Sequence, residues 1–225
     1  LLPAATLTWK LDESMQVRLN ASKTIARPQF RELMFQRYYD PEANREYLCN
    51  PLLSDAELFN AEARFEWYFA PEQRLTVAGF YKLIDKPIEA YVSYPEGDAP
   101  VTSYANAPEA QLYGVEFEAT KYFGLDRLAD ARFFQARRVV VIGNYTWSNS
   151  TINVDAGDTV GVFGSTMTTR PATDYFRDGV QLSGQSDHLV NLQFGLEDTR
   201  VLSQQTVLLT YASDRVSSRA GGTLP

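Results

Sequence analysis

Alternation with a period of two residues runs through most of this 225-residue chain, and it is clearest from Ala61 to Lys82, AEARFEWYFAPEQRLTVAGFYK. In the first arm Ala61, Ala63, Phe65 and Trp67 fall on one side and Glu62, Arg64 and Glu66 on the other. Successive side chains of a β-strand point to opposite faces, so this pattern is a strand with one apolar and one charged face. A second arm follows after Pro71. Trp67 and Leu75 must share a face, as must Phe65 and Val77. The turn between them therefore holds an odd number of residues, such as Ala70 to Glu72, or the hairpin carries a bulge.

Eight segments read this way. They are about Ala4 to Leu11, MQVRLNAS from Met15, the two arms just described, QLYGVEFEATKYF from Gln111, VVVIGNYTWS from Val139, HLVNLQFGL from His188 and QTVLLTYAS from Gln205. The expected fold class is all-β and antiparallel.

Composition removes several functions. Acids outnumber bases 28 to 21, for a net charge of -7, which argues against nucleic acid as a main partner because phosphate binding needs a basic footprint. Cys49 and His188 are the single cysteine and histidine. They rule out an internal disulfide and supply no paired metal-ligand motif, so no metal and no cofactor is expected. The longest aliphatic run, Val139 to Ile142, is far short of the ~20 residues of a membrane helix. Barrel strands never show such a run, so a membrane barrel stays open.

The connections decide between the two all-β architectures that alternation allows. Short ones are expected at Asp12–Ser14, Ala70–Gln73 and Glu197–Arg200. Long ones are expected at about Lys23–Phe59, Asp85–Ala110 and Asn149–Ser186. A soluble sandwich, serving as a ligand-binding or adhesin module, has no reason to gather its long loops at one end. An outer-membrane barrel has short periplasmic turns and long external loops. The connection from Phe123 to Arg138 is longer than that rule expects, and its sequence suits a short helix.

Aromatic residues cluster at strand ends, as in the interfacial girdles of membrane barrels. Trp67, Tyr68, Phe69, Tyr122 and Phe123 lie on the short-turn side, with Tyr145 and Trp147 toward the long-loop side. All seven are expected at the membrane interface. Glu62, Arg64, Glu66, Lys82, Glu116 and Glu118 are expected to face a wet lumen, because a small dry core could not hold them without heavy desolvation cost.

Beyond these patterns, RLNASKTIARPQFREL (Arg18 to Leu33), FYKLIDKPIE (Phe80 to Glu89), LYGVEFEATKYF (Leu112 to Phe123), NYTWSNSTI (Asn144 to Ile152) and LSGQSDHLVNLQFG (Leu182 to Gly195) resemble, in order, segments of the β-barrel domain of TonB-dependent outer-membrane receptors. The resemblance covers nearly the whole chain. It implies a location in the bacterial outer membrane and a barrel of about 22 strands with a plugged lumen, of which this chain would be an internal part of about eight. It also implies import of a scarce nutrient, such as an iron chelate, cobalamin or an oligosaccharide, with energy delivered by the TonB complex through a plug. Residues 1–225 are expected to lie wholly within the barrel domain, with the plug and the C-terminal strands outside them. Outer-membrane lipid, TonB and a small nutrient ligand are the implied partners.

Ligand contacts are sought on the long loops. The first carries Arg27, Arg31, Arg37 and Arg45 with Phe30, Phe35, Tyr38, Tyr39 and Tyr47. The second carries Tyr91, Tyr94 and Tyr104. Arginine beside aromatic rings grips anions or stacks on planar groups, and tyrosines suit sugars or aromatic chelators. Acids in the first loop roughly balance its bases, and residues of this type also simply order loops. Catalysis is not expected. Ser186, Asp187 and His188 are adjacent, whereas a triad converges from separate places, and Glu116 with Glu118 is a carboxylate pair without a pocket.

Overall fold

A computed structural model describes the chain except residues 35, 43, 95–99, 164–166, 202, 218 and 221–225; Phe35 and the final residues therefore lie outside the described residues. The strands, in chain order, are β1 (Ala4–Lys10), β2 (Met15–Ala26), β3 (Arg37–Asp40), β4 (Arg45–Leu48), β5 (Ala56–Ala70), β6 (Gln73–Asp85), β7 (Ile88–Ser93), β8 (Val101–Asn106), β9 (Glu109–Gly124), β10 (Arg137–Asn153), β11 (Thr159–Phe163), β12 (Met167–Pro171), β13 (His188–Asp198), β14 (Ser203–Ala212) and β15 (Arg219–Ala220). A single helical turn, α1 (Phe30–Leu33), and a 3-10 turn at Ala172–Asp174 complete the described elements.

Eight strands form one antiparallel sheet in the order β1-β2-β5-β6-β9-β10-β13-β14, so each strand pairs with its neighbour in the meander. These are the eight strands expected from the alternation. Five of them, at 12 to 17 residues, exceed the roughly 9–11 that a tilted strand needs to cross a bilayer.

The register sorts side chains by chemistry. One cross-strand row reads Trp9, Val17, Phe65, Val77, Phe117, Tyr145, Val190 and Tyr211. The next reads Lys10, Gln16, Glu66, Thr76, Glu118, Asn144, Asn191 and Thr210. A slip of one residue in β5 or β9 would put a charge into the apolar row, since Arg64 and Glu66 flank Phe65 and Glu116 and Glu118 flank Phe117. In the β5–β6 hairpin Trp67 pairs with Leu75 and Phe65 with Val77, and the register then shifts so that Ala70 pairs with Gln73. The parity conflict is thus resolved by a bulge at Tyr68–Phe69, not by an odd loop. The tight turn left over puts Glu72 at a φ of 60°.

No described element covers the apolar face. Leu7, Leu19, Phe117, Phe194, Leu209 and Tyr211 are all exposed there, so the sandwich alternative fails: no described sheet packs on this face. Large contiguous apolar surface needs a partner, and in a closed barrel that partner is lipid.

The buried core instead sits at the end where the long connections gather. It joins Tyr91, Ala105, Ala110, Ile152, Val160, Val162, Phe176 and Leu182. The connections 27–55, 86–108 and 154–187 lie at this end, and the turns 11–14, 71–72 and 199–202 at the other. The long connections are not plain loops. They build a second sheet, β7-β8-β4-β3, which β15 from the segment after β14 extends beside β7, and a separate hairpin, β11-β12. The connection 125–136 also lies at the short-turn end, and hydrogen-bonded turns, not the expected short helix, fill it.

Candidate functional site

Three polar side chains, buried Asn50 and Glu89 and half-buried Asn106, lace the long connections together. Asn50 is fully buried; its Nδ2 donates to the carbonyls of Tyr104 and Gly161 at 2.8 Å each, and its Oδ1 accepts from the Leu52 N–H at 3.0 Å. One residue of the first connection thereby holds the second and the third. Asn106 accepts from the Ser54 N–H (2.9 Å) and donates to the carbonyls of Ser54 and Lys86. Glu89 accepts from the Ser183 N–H at 3.0 Å and from Arg219 Nη1 at 2.8 Å. Burial pushes the Glu89 carboxyl above the usual carboxylate range, against the pull of that N–H and of Arg219. Asn50 and Glu89 would be costly in this core without their partners.

Of the ligand-contact candidates, the structure brings Tyr38 and Tyr104 together. Tyr38 stacks on Tyr47 at 5.1 Å between ring centroids, and Tyr47 on Tyr104 at 6.4 Å, nearly parallel in both cases. Tyr39 is exposed and donates to Asn44 Oδ1 at 2.6 Å. Phe30, Arg31 and Tyr94 are exposed, and exposed Arg27 lies 3.8 Å from Asp55. Tyr91 is a correction: at 3 % exposure it belongs to the core, edge-on to Tyr175 at 5.0 Å, because a loop cluster of this size needs large apolar groups of its own. Cys49 is buried too, its thiol donating to the Arg31 carbonyl, and burial raises its pKa.

Beneath the cluster a cleft of about 410 Å³ opens against the upper part of the charged sheet face, lined by Leu58, Ile84, Glu89, Leu112 and Gln185. Gln185 is anchored there by donating to the Ser148 carbonyl (3.0 Å) and Oγ (2.9 Å) while accepting from Ser150 Oγ.

Farther down, Glu62, Arg64, Glu66, Lys82, Glu116 and Glu118 occupy the charged face together. Arg64 pairs with Glu62 at 3.0 Å and Glu116 at 3.8 Å, and Arg74 pairs with Glu118. Glu66 accepts from the Gln16 amide and from the Tyr68 hydroxyl (3.1 Å), with Arg18 at 3.5 Å. Most of these groups keep a quarter or more of their side chain exposed, so each pair contributes about 1 kcal/mol or less.

The aromatic residues divide. Trp67, Phe69 and Phe123 lie on the apolar face at the short-turn end, where the Lys121 ammonium sits over the rings of Phe69 and Phe123. Tyr145 and Trp147 lie on the same face toward the other end, against Phe117 and Tyr113. Tyr68 and Tyr122 are corrections. The period of two sends both to the charged face, Tyr68 onto Glu66 and Tyr122 under the Arg138 guanidinium at 4.0 Å. Ser186, Asp187 and His188 do not converge. Ser186 Oγ donates to the Ser213 carbonyl, Asp187 accepts from Gln181, and the His188 ring stacks on Tyr145.

A meander with one apolar and one charged face, short turns at one end and interlaced long connections at the other, defines part of a transmembrane β-barrel. A family profile described as "TonB dependent receptor-like, beta-barrel" matches residues 1–223, and the chain belongs to that family of bacterial outer-membrane proteins. Among solved structures it is similar to the ferric enterobactin receptor PfeA in complex with BCV-L6, with 16 % identity, a TM-score of 0.43, and coverage of 86 % of this chain and 32 % of that one. A mutant of PfeA from Pseudomonas aeruginosa gives 16 % identity, a TM-score of 0.42 and the same coverage. The chain thus spans about a third of the length of these receptors. A comparison with curated proteins gives no match.

Proposed function

We propose that these residues form part of the barrel wall and the outer mouth of an active-transport receptor. It imports a scarce, large nutrient, an iron chelate, cobalamin or an oligosaccharide, using energy from the TonB complex. In this reading residues 1–225 belong to the barrel domain, and the plug that TonB acts on, together with the C-terminal strands, lies elsewhere in the parent protein. The apolar face meets outer-membrane lipid and the charged face lines the lumen. Its paired carboxylates and guanidiniums offer fixed hydrogen-bonding partners to a plug and to water.

One observation supports this reading above the others. All three long connections meet at one end of the meander, locked by Asn50, Asn106 and Glu89 over a cleft that continues into the charged face. That arrangement presents a binding surface at the mouth of a passage. The Tyr38–Tyr47–Tyr104 stack offers flat faces suited to sugar rings or aromatic chelators, with Arg37 and Glu46 beside it at 3.5 Å from each other. The family's members act as transport receptors and not as enzymes, and the dispersed Ser186, Asp187 and His188 suit that role.

The test uses the full-length parent in bacterial outer membranes. Heated and unheated samples should migrate differently on a denaturing gel, and nutrient uptake should stop when TonB is removed. A band that does not shift, from protein found in the soluble fraction, would sink the barrel; uptake that persists without TonB would sink the transport mechanism.

A further inference from the structure

The connection 125–136 breaks the rule of short turns at its end of the barrel. It is ordered. The N–H of Leu128 donates to the Leu125 carbonyl (3.0 Å), and that of Phe134 to the Ala131 carbonyl (2.9 Å). It is also tied to the next turn, since the Thr199 N–H donates to the Ala136 carbonyl (3.0 Å) and Arg200 Nη2 to the Arg132 carbonyl (3.3 Å). Despite this order it holds Leu128 at 70 % exposure and Phe133 at 50 %.

Two cations mark the depth of this segment. Lys121 and Arg137 both fall on the apolar face, since Lys121 shares a row with Val141 and Phe194, and Arg137 lies two residues from Val139. A cation facing lipid is strongly disfavoured at the bilayer midplane but nearly without penalty near the interface. Lys121 covers Phe69 and Phe123 with its ammonium, and Arg137 is paired with Asp198 at 3.0 Å, so this stretch of the face sits at the interface. The Phe133 ring lies 4.1 Å from the Arg137 guanidinium carbon, and its carbonyl accepts from Arg137 Nη1 at 3.1 Å. Phe133 is therefore turned back toward the apolar face at the level of the cations. Phe134 packs edge-on against it at 5.1 Å.

We infer that residues 125–136 form an interfacial anchor that seats Phe133 and Leu128 among the phospholipid headgroups and upper acyl chains on the short-turn side of the membrane. The apolar band of the strands continues into this segment, and that continuity identifies lipid as the occupant. Within the segment Asp126 and Asp130 balance Arg127 and Arg132. The chemistry therefore suits a zwitterionic headgroup and does not call for anionic lipid. The inference rests on the barrel reading.

The test places nitroxide labels on the full-length receptor in phosphatidylcholine vesicles, at Leu128→Cys and Phe133→Cys. Phe117→Cys serves as the lipid control and Glu13→Cys as the water control. Collisions with oxygen, which concentrates in lipid, are compared with those of a water-soluble nickel chelate. The expected oxygen-to-nickel ratio at 128 and 133 lies closer to that of Phe117→Cys than to that of Glu13→Cys, and 1 M salt leaves it unchanged. Ratios at both positions equal to the Glu13→Cys value would overturn the anchor. So would exclusion of both reagents, which would mean packing against protein. Nickel access at Phe117→Cys would overturn the barrel reading itself, and the anchor with it.

Discussion

The side-chain amide of Asn50 donates to the main-chain carbonyl of Tyr104 at 2.8 Å, across 54 residues of sequence and between two different connections of the barrel. The same nitrogen reaches Gly161 in a third. Asn50→Ala leaves two carbonyls and an N–H without this partner in a site closed to water, at about 1–3 kcal/mol for each group left unsatisfied. The loosening should be confined to the loop cluster. Hydrogen exchange should accelerate at 101–106 and 159–163, while the heat-modified gel shift of the barrel stays intact. Unchanged exchange in β8 and β11 would mean that Asn50 does not hold the connections together.

Adjacent residues on β9 should report opposite environments. Glu116 lies on the charged face beside Arg64, and Phe117 lies in the apolar row between Val77 and Tyr145. In outer membranes, Glu116→Cys should react with a small cationic thiol reagent at least ten times faster than Phe117→Cys. Equal rates would remove the assignment of lipid to one face and water to the other.

Much of the barrel wall was legible because each of its strands carries its own signal. Charges on every second residue from Glu62 to Glu66 admit one period, and parity alone required either a bulge or an odd turn between Trp67 and Leu75. The loop sheet was not legible. Its strands run for two to six residues, and β4 pairs with β8 through contacts more than fifty residues apart. Asn50, Glu89 and Asn106 left no trace, since a lone polar residue has no spacing to betray it. The place of Tyr68 is legible in its parity with Glu66, which outweighs its position within the Trp67–Phe69 aromatic cluster. Position on a loop does not expose Tyr91, because the loops carry their own core.

Tyr91 and Tyr104 should titrate late. Burial pushes both phenols up from 10 to about 12. The folded protein then keeps protons that the unfolded chain releases as pH rises past 10. Their contribution to stability is fully present below pH 10 and is lost as pH rises through about 12. In a tyrosinate absorbance titration of the folded receptor, subtracting the Tyr91→Phe curve from the wild type should leave one ionisation centred near 12. A difference centred near 10 would place the Tyr91 hydroxyl in water, contrary to its position in the core.

Gly114 sits on the charged face, paired with Phe80 across β6–β9 and with Ser148 across β9–β10. A Cβ at this position would lie 2.6 Å from the Phe80 ring and collide with the Trp147 carbonyl of the neighbouring strand. The ring therefore occupies the space that a side chain would need, and a backbone atom limits how far it can yield. Gly114→Val should cost about 1–3 kcal/mol through overpacking, read as a lower denaturant midpoint for loss of the gel shift. Gly114→Ala should cost less. Adding Phe80→Ala to Gly114→Ala should recover the part owed to the ring and leave the part owed to the carbonyl. A double variant no more stable than the sum of its single losses would show that the ring and the glycine are not coupled.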